Sequence, residues 1–343
     1  MIARRLTDTR ADWSSLIVEL TRSGEQLTGV GVRLVCGKPE PEATVDLHHV
    51  TAIVGRDFGY TNTICLAVAV SETPIDLSES STSAVRASSA LAAQNFFETH
   101  VLPADVRIAE RVQFSGGRFM ARIEAHCIRI DRLTSRIDLA YDTLHAVRAQ
   151  VFGELGLACE DSITSGLKKT LAGALVGQFY HQLGQIADLK QARRALYDRI
   201  AKLKRCWFGY LANAEVALAK KYNAVIVHED LTAEAIEKDA PQYKGRVFNK
   251  MLNNGSKGQY QRRATDTHAW NGIAERKVGS WYTSRACTTH SQVLHRKHRK
   301  GATLNLPCCA KSDHADLHAS ETIACYLFLQ PVSPAPDHRR VVR

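Results

Sequence analysis

The sequence predicts an α/β protein: a mixed sheet, interrupted by a large helical insertion and closed by a cysteine- and histidine-rich excursion before a last helix. Three observations carry that prediction. Apolar, β-branched runs stand at residues 50–54, 64–70 and 223–228, bounded by turn residues. Between the second and third runs, residues 84–222 place apolar side chains at spacings of three, four and seven. Near the C-terminus, Cys287, His290, His295, His298, Cys308, Cys309 and His314 crowd into residues 286–315.

Composition narrows the class. At 343 residues, with 45% hydrophobic and 23% charged side chains, the chain can bury the core of one large domain or two ordinary ones. The formal charge of +10 favours a polyanionic partner, nucleic acid before anionic membrane, with a basic enzyme of unrelated function as the alternative. Nine cysteines, an odd number thinly spread, do not form a secreted disulfide framework, so a reducing cytoplasm is expected. No signal peptide follows Met1-Ile2-Ala3-Arg4-Arg5, and no apolar run approaches a bilayer span.

In order, residues 1–49 read as a short β-rich segment. Its strands, Trp13 to Leu20 and Val30 to Cys36, are expected to lead into the sheet, with a turn or linker at Lys38 to Glu42. Residues 50–83 hold a strand pair around Val54-Gly55-Arg56-Asp57-Phe58-Gly59-Tyr60-Thr61-Asn62-Thr63, then a Ser/Thr-rich loop over 71–83. Residues 84–222 read as mostly helical. They end in a basic helix, Leu189 to Tyr222, that carries Arg193, Arg194, Arg199, Lys202, Lys204 and Arg205. That basic face is either a solvated surface or a row of phosphate contacts.

Residues 223–285 begin with a buried strand that closes at Glu229, followed by a helix near 266–278 and a strand near 281–285. Residues 286–315 form the cysteine–histidine excursion, with His295 to Lys300 as a basic loop tip. Residues 316–330 are the final helix, and 331–343 a disordered tail. Cys65 and Cys127 fall on apolar faces and read as core residues.

Three acids occupy corresponding places. Asp57 and Glu229 each stand where a strand runs out, and Asp316 opens the last helix. Carboxylates converging from separate elements are what two-metal phosphodiester chemistry requires, and hard cations such as magnesium take oxygen ligands. The order Asp, Glu, Asp along an α/β sheet is that of the RNase H-like nuclease fold. His228 and Asp230 flank Glu229 and should point to the other side of a regular strand.

The words around these acids carry a resemblance. Gly55-Arg56-Asp57-Phe58-Gly59-Tyr60-Thr61-Asn62 resembles the first RuvC motif of the TnpB family of transposon-encoded RNA-guided nucleases and the related type V CRISPR effectors. The basic helix running into Val225-Ile226-Val227-His228-Glu229-Asp230-Leu231 resembles the approach to the second. Tyr282-Thr283-Ser284-Arg285-Ala286-Cys287 is similar to the entry into that family's zinc ribbon, and Asp313-His314-Ala315-Asp316-Leu317-His318-Ala319-Ser320 to the third motif.

The resemblance implies a RuvC core in three parts, 50–83, 223–285 and 316–330, with a zinc-ribbon-like insertion at 286–315. It implies Asp57, Glu229 and Asp316 as the catalytic triad binding two magnesium ions, a DNA target, a guide RNA and no membrane. The resemblance favours Arg285 as a contact to the scissile phosphate, with pairing to an acid of the ribbon as the alternative. Because residues 1–56 alone precede Asp57, the chain is expected to lack most of the family's N-terminal part.

Cys287 and His290 fit a first zinc knuckle. The second is irregular, since Cys308 adjoins Cys309 and position 306 is Leu; zinc at Cys287, His290, Cys308 and Cys309 and a degenerate ribbon with free thiols both remain open. Two other functions fit the same residues: a nuclease-inactive or decayed RNA-guided DNA-binding protein, and a guide-free RNase H-like transposase or resolvase.

Overall fold

The structure is a computed structural model that describes residues 12–23, 26–37, 43–59, 62–78, 89–154, 173–230 and 257–332. The turn residues Tyr60 and Thr61, the linker at 38–42, the polar stretch at 231–256 and the tail from 333 lie outside the described residues. The chain divides into two compact units. The first comprises residues 1–115, 209–252 and 256–343, and the second residues 116–208 and 253–255.

The first unit is built on a five-stranded mixed sheet. Its strands are β3 (Val50–Asp57), β4 (Asn62–Ile75), β6 (Arg107–Ser115), β7 (Val225–Glu229) and β8 (Glu275–Val278), in the order β6-β4-β3-β7-β8. β3 pairs antiparallel with β4 and parallel with β7, and β7 pairs parallel with β8. The central strands are apolar because both faces are covered: Ile53, Val54, Val225, Ile226 and Val227 are fully buried. One face receives helix α5 (Ala315–Cys325) and a core that includes Phe97, Ile323, Ala324, Tyr326 and Phe328. On the other, Arg56 and His228 meet Glu215, from the end of helix α3 (Gly173–Tyr222), and Gln261, from helix α4 (Lys257–Trp270).

Helix α1 (Ala90–Thr99) starts at Ser89, whose side chain accepts the Ala92 amide at 3.2 Å. The cysteine–histidine excursion consists of small strands. β9 (Ala286–Cys287) pairs with β10 (Gln292–Val293), and β11 (Arg299–Lys300), β12 (Thr303–Leu306) and β13 (Lys311–His314) form a three-stranded sheet. β13 runs straight into α5. A short pair, β5 (His100–Val101) with β14 (Gln330–Pro331), ties the end of α1 to the residues after α5.

Several expected elements differ. Residues 107–115, read as part of the helical stretch, form β6, because Ile108, Val112 and Phe114 alternate with Arg107, Arg111 and Gln113 at a strand period. β4 continues to Ile75, into the expected loop. α4 occupies 257–270 and β8 275–278 where a helix over 266–278 was expected, and 281–285 is a series of turns. The last helix ends at Cys325 and tightens into a 3₁₀ turn over Tyr326–Phe328. The N-terminal strands β1 (Asp12–Ser23) and β2 (Gln26–Gly37) pair only with each other among the described residues, instead of joining the main sheet.

The second unit is a helical hairpin made of α2 (Gly117–Glu154) and α3 up to Phe208. The helices are antiparallel. Phe119 stacks on Trp207 at 5.7 Å, Arg193 donates to Thr134 at 3.4 Å, and Lys190 lies 4.9 Å from the Tyr141 ring centre. Ile123, Ile130, Ile137, Leu144 and Val151 are buried at intervals of seven, the repeat of a coiled-coil seam. No helix among the described residues is long and apolar enough to cross a membrane.

The tightest contact in the first unit is at Gly55. A Cβ there would fall onto the backbone amide of Ala324 and the carbonyl of Ser320 in α5. Backbone on both sides leaves nothing to yield. Gly55→Ala is therefore expected to cost about 3 kcal/mol or more, at the upper end for overpacked cores, read as a lower melting temperature. An unchanged melting temperature would show that α5 is not seated on β3.

Candidate active site and metal centre

Asp57 and Glu229 each close a strand. Because β3 and β7 are parallel with Gly55 beside Val227 and Arg56 beside His228, the next residues, Asp57 and Glu229, stand level on neighbouring strands. Gly55 and Asp57 lie two residues apart and so face the same side, towards α5. Along α5, Ser320 meets Gly55, and Asp316 lies one turn earlier. That turn rises about 6 Å, close to the two-residue rise of a strand, so the start of α5 is carried level with the end of β3. The three predicted acids are thereby brought to one end of the sheet.

Electrostatics record the gathering. Burial first, then the charges of Glu229 and Asp316, push the Asp57 carboxyl well above its usual range, against the pull of Lys257 and Arg299. Burial also raises Glu229, opposed by a hydrogen bond from the Thr283 hydroxyl at 2.5 Å and by the same two cations. Burial lowers Lys257, which the carboxylates of Glu229 and Asp57 counteract. Its ammonium lies 5.3 Å from the Phe58 ring centre. Arg299 comes within 3.7 Å of an Asp316 oxygen. His314 caps α5 by accepting the Asp316 amide at 3.2 Å.

Lys257 and Arg299 were not singled out from sequence. Lys257 follows a long polar stretch, and Arg299 is one of six basic or histidine residues at the loop tip. No spacing distinguishes it; the three-stranded sheet of the excursion folds it back. Arg285 is engaged elsewhere, donating to the Leu294 carbonyl at 3.3 Å and lying 4.9 Å from the Tyr282 ring centre. Of the basic residues named on α3, Arg193 is half-buried in the hairpin, Lys204 is half-buried with its pKa lowered by burial, and Arg194, Lys202 and Arg205 are exposed.

Behind the acids lies a charged network. Arg56 is 2% exposed, on the face of β3 opposite Asp57, and donates to Glu215 at 2.9 Å and Gln261 at 2.5 Å. Tyr260 donates to Glu215, and His268 lies between Glu215 at 2.9 Å and Glu275. His228 joins through Gln261 at 3.2 Å, and burial pulls it down to about 4. It therefore faces away from the acid cluster.

The second cluster is Cys287, His290, Cys308 and Cys309, with one ligand atom of each within 4.8 Å of the others. Cys287 Sγ lies 3.4 Å from His290 Nδ1 and 3.5 Å from Cys309 Sγ, and Cys309 Sγ lies 3.3 Å from His290 Nδ1. The two adjacent cysteines sit on a 3₁₀ turn, Pro307–Cys309, that Ala310 ends in the left-handed region at φ 50°. Their sulfurs are 3.9 Å apart, so the turn lets neighbours face one point. Burial and the adjacent thiols hold the Cys287 thiol up at about 12. Cys65 is fully buried, while Cys127 is half-buried.

No protein-family model matches the chain, and no curated protein matches it. Among solved structures, a cryo-EM Cas12f1–sgRNA–target DNA complex is similar at 14% identity and a TM-score of 0.48, over 94% of this chain and 47% of that one. The mini-RNA-guided endonuclease CRISPR-Cas_phi3 gives 12%, 0.42, 83% and 46% in the same terms. A Cas12i(E894A)–crRNA–dsDNA complex gives 11%, 0.41, 81% and 31%. The chain spans less than half the length of each of these structures.

The raised Asp57 pKa has a definite sign. Its protonated form is favoured in the metal-free fold, so that contribution is full below the ordinary carboxylate range and is lost as pH rises through the raised value. Without divalent metal, wild type should lose melting temperature relative to Asp57→Asn as pH is raised from the ordinary carboxylate range to neutrality. Magnesium should narrow the gap. A gap constant with pH would remove the crowding of acids.

Proposed function

We propose that this chain is a metal-dependent DNA endonuclease of the RNA-guided kind, with an RNase H-like (RuvC) core and a zinc-ribbon insertion. The observation that carries the reading is the meeting of Asp57, Glu229 and Asp316 at one sheet end, from two parallel strands in register and a helix seated on Gly55. The motif words around the same three residues resemble those of the TnpB and type V families. In this reading residues 50–83, 223–285 and 316–330 make up the core, and 286–315 is the ribbon. The net charge of +10 suits guide RNA and target DNA as partners.

The donor set fits hard divalent cations. It is all oxygen, and burial, then the neighbouring charges of Glu229 and Asp316, make Asp57 resist ionising without further positive charge. Asp57, Glu229 and Asp316 would hold the magnesium ions, which supply an activated water and charge neutralisation at the leaving oxygen. Thr283 orients Glu229 through its hydroxyl. Arg299 and Lys257 direct positive charge to the place where a scissile phosphate must approach three carboxylates. The guanidinium can bond the phosphate at two oxygens, while the ammonium acts as a point charge.

The Cys287, His290, Cys308 and Cys309 set suits zinc, being three sulfurs and one imidazole at the separations of a tetrahedral site. Zinc there would hold the small strands that carry Arg299.

Cleavage of duplex and single-stranded DNA, by protein purified with its co-expressed RNA, is expected to require magnesium. Asp57→Ala, Glu229→Ala and Asp316→Ala should each lose more than about a hundredfold, beyond what an outer partner of a metal site loses. Equal rates for wild type and Asp57→Ala, or cleavage that persists in chelator, would leave a binding protein or a contaminant.

Metal analysis of purified wild type is expected to find about one zinc per chain. Cys309→Ser should lose the zinc and melt at a lower temperature, whereas Cys206→Ser, at an exposed position on α3, should change neither. Zinc retained by Cys309→Ser would remove that residue from the ligand set.

A further inference from the structure

The helical hairpin of the second unit carries a cleft unrelated to the acid cluster. It measures about 470 Å³ and is lined by Arg129, Arg132, Leu133 and Arg136 of α2 and by Ala192, Ala195, Leu196 and Arg199 of α3. Its shape has a simple origin. Two alanines of α3 lie where longer side chains would fill the space beside the seam, and Leu133 and Leu196 make the floor.

The four arginines are exposed at their ends, and among the described residues none forms a hydrogen bond or ion pair within the protein. On α2, Arg129 and Arg136 are seven residues apart, about 10 Å along the axis, with Arg132 between them and Arg122 continuing the row one heptad earlier. Glu124, Asp131 and Asp138 follow each member of that heptad row by two positions, so they lie about 200° round the helix. The charges of α2 are thus sorted, cations on the cleft side and acids away from it.

We propose that this cleft grips the phosphodiester backbone of a double-helical nucleic acid. Three guanidiniums along α2 and a fourth from α3, without an ion-pair partner among the described residues, are complementary to closely spaced phosphates, which they can bond at two oxygens each. No aromatic side chain lines the cleft, so nothing there stacks on the bases of a single strand. The lining also offers no carboxylate or amide to read a base edge, which makes the contact independent of sequence. The proposal stands on the hairpin alone and does not require the nuclease reading.

The test is binding, without magnesium, of the full chain carrying Asp57→Ala to fluorescent RNA duplex, RNA–DNA hybrid, DNA duplex and single strands over a range of salt. Replacing Arg129, Arg132, Arg136 and Arg199 together by Gln should weaken binding of a duplex more than tenfold. It should also flatten the dependence of log affinity on log salt by about 3.6, at about 0.9 for each lost phosphate contact. Ala195→Phe, which fills the cleft and leaves the charge unchanged, should weaken the same duplex. An unchanged melting temperature shows that both variants remain folded. The arms tell which duplex, RNA, hybrid or DNA, is held. Unchanged affinity and salt slope for every duplex would overturn the proposal, as would a loss on single strands as large as on duplexes. Because no cleavage is measured, failure here leaves the nuclease reading intact, and an inactive acid cluster leaves this one intact.

Discussion

Contact between α5 and the bare backbone of β3 governs the geometry at the acid end of the sheet. A helix can lie that close to a strand only over a residue without a side chain, and Gly55 supplies it. The helix then has one height on the sheet, and its first turn comes level with the strand ends. Any side chain at 55 would lever α5 outward and carry Asp316 away from Asp57. The glycine thus sets a distance between two acids that it does not touch.

The opposite face of the same strand solves a different problem. Arg56 and Asp57 are adjacent and face opposite sides of one sheet, Arg56 buried and Asp57 half-buried where the strand ends. Arg56 is neutralised by Glu215, which also takes Tyr260 and His268. Breaking one partner of such a pair leaves an uncompensated buried charge, at about 3–5 kcal/mol. The network joins β3 to α3 and α4, and through Glu275 to β8. The strand ends bearing Asp57 and Glu229 are clamped from behind by charge and from the front by packing.

Much of this was legible in the sequence, for identifiable reasons. Val50–Val54 and Val225–His228 are short, continuous apolar runs, which is how doubly covered strands read, and their acids fall at the boundary where burial stops. The heptad of Ile123, Ile130, Ile137, Leu144 and Val151 is similarly open to inspection. β6 was hidden because its alternation includes Glu110, Arg111 and Gln113, the charged pattern of an edge strand, inside a stretch dominated by helix formers. Arg299 and Lys257 were hidden for another reason: nothing local marks them, and only tertiary return brings them to the acids. The adjacent cysteines looked unsuited to one centre until the 3₁₀ turn showed how both can face it.

The order in which the acids occur along the chain has a consequence for biosynthesis. Asp57 and Glu229 belong to strands separated by the whole helical hairpin, and Asp316 follows them only after the cysteine–histidine excursion. A ribosome therefore releases the hairpin, with its basic cleft, well before the third carboxylate. Between the end of the hairpin at residue 208 and Asp316 the nascent chain carries the basic cleft while the acid cluster is still incomplete. On the ribosome, then, the basic cleft is complete before the acid cluster.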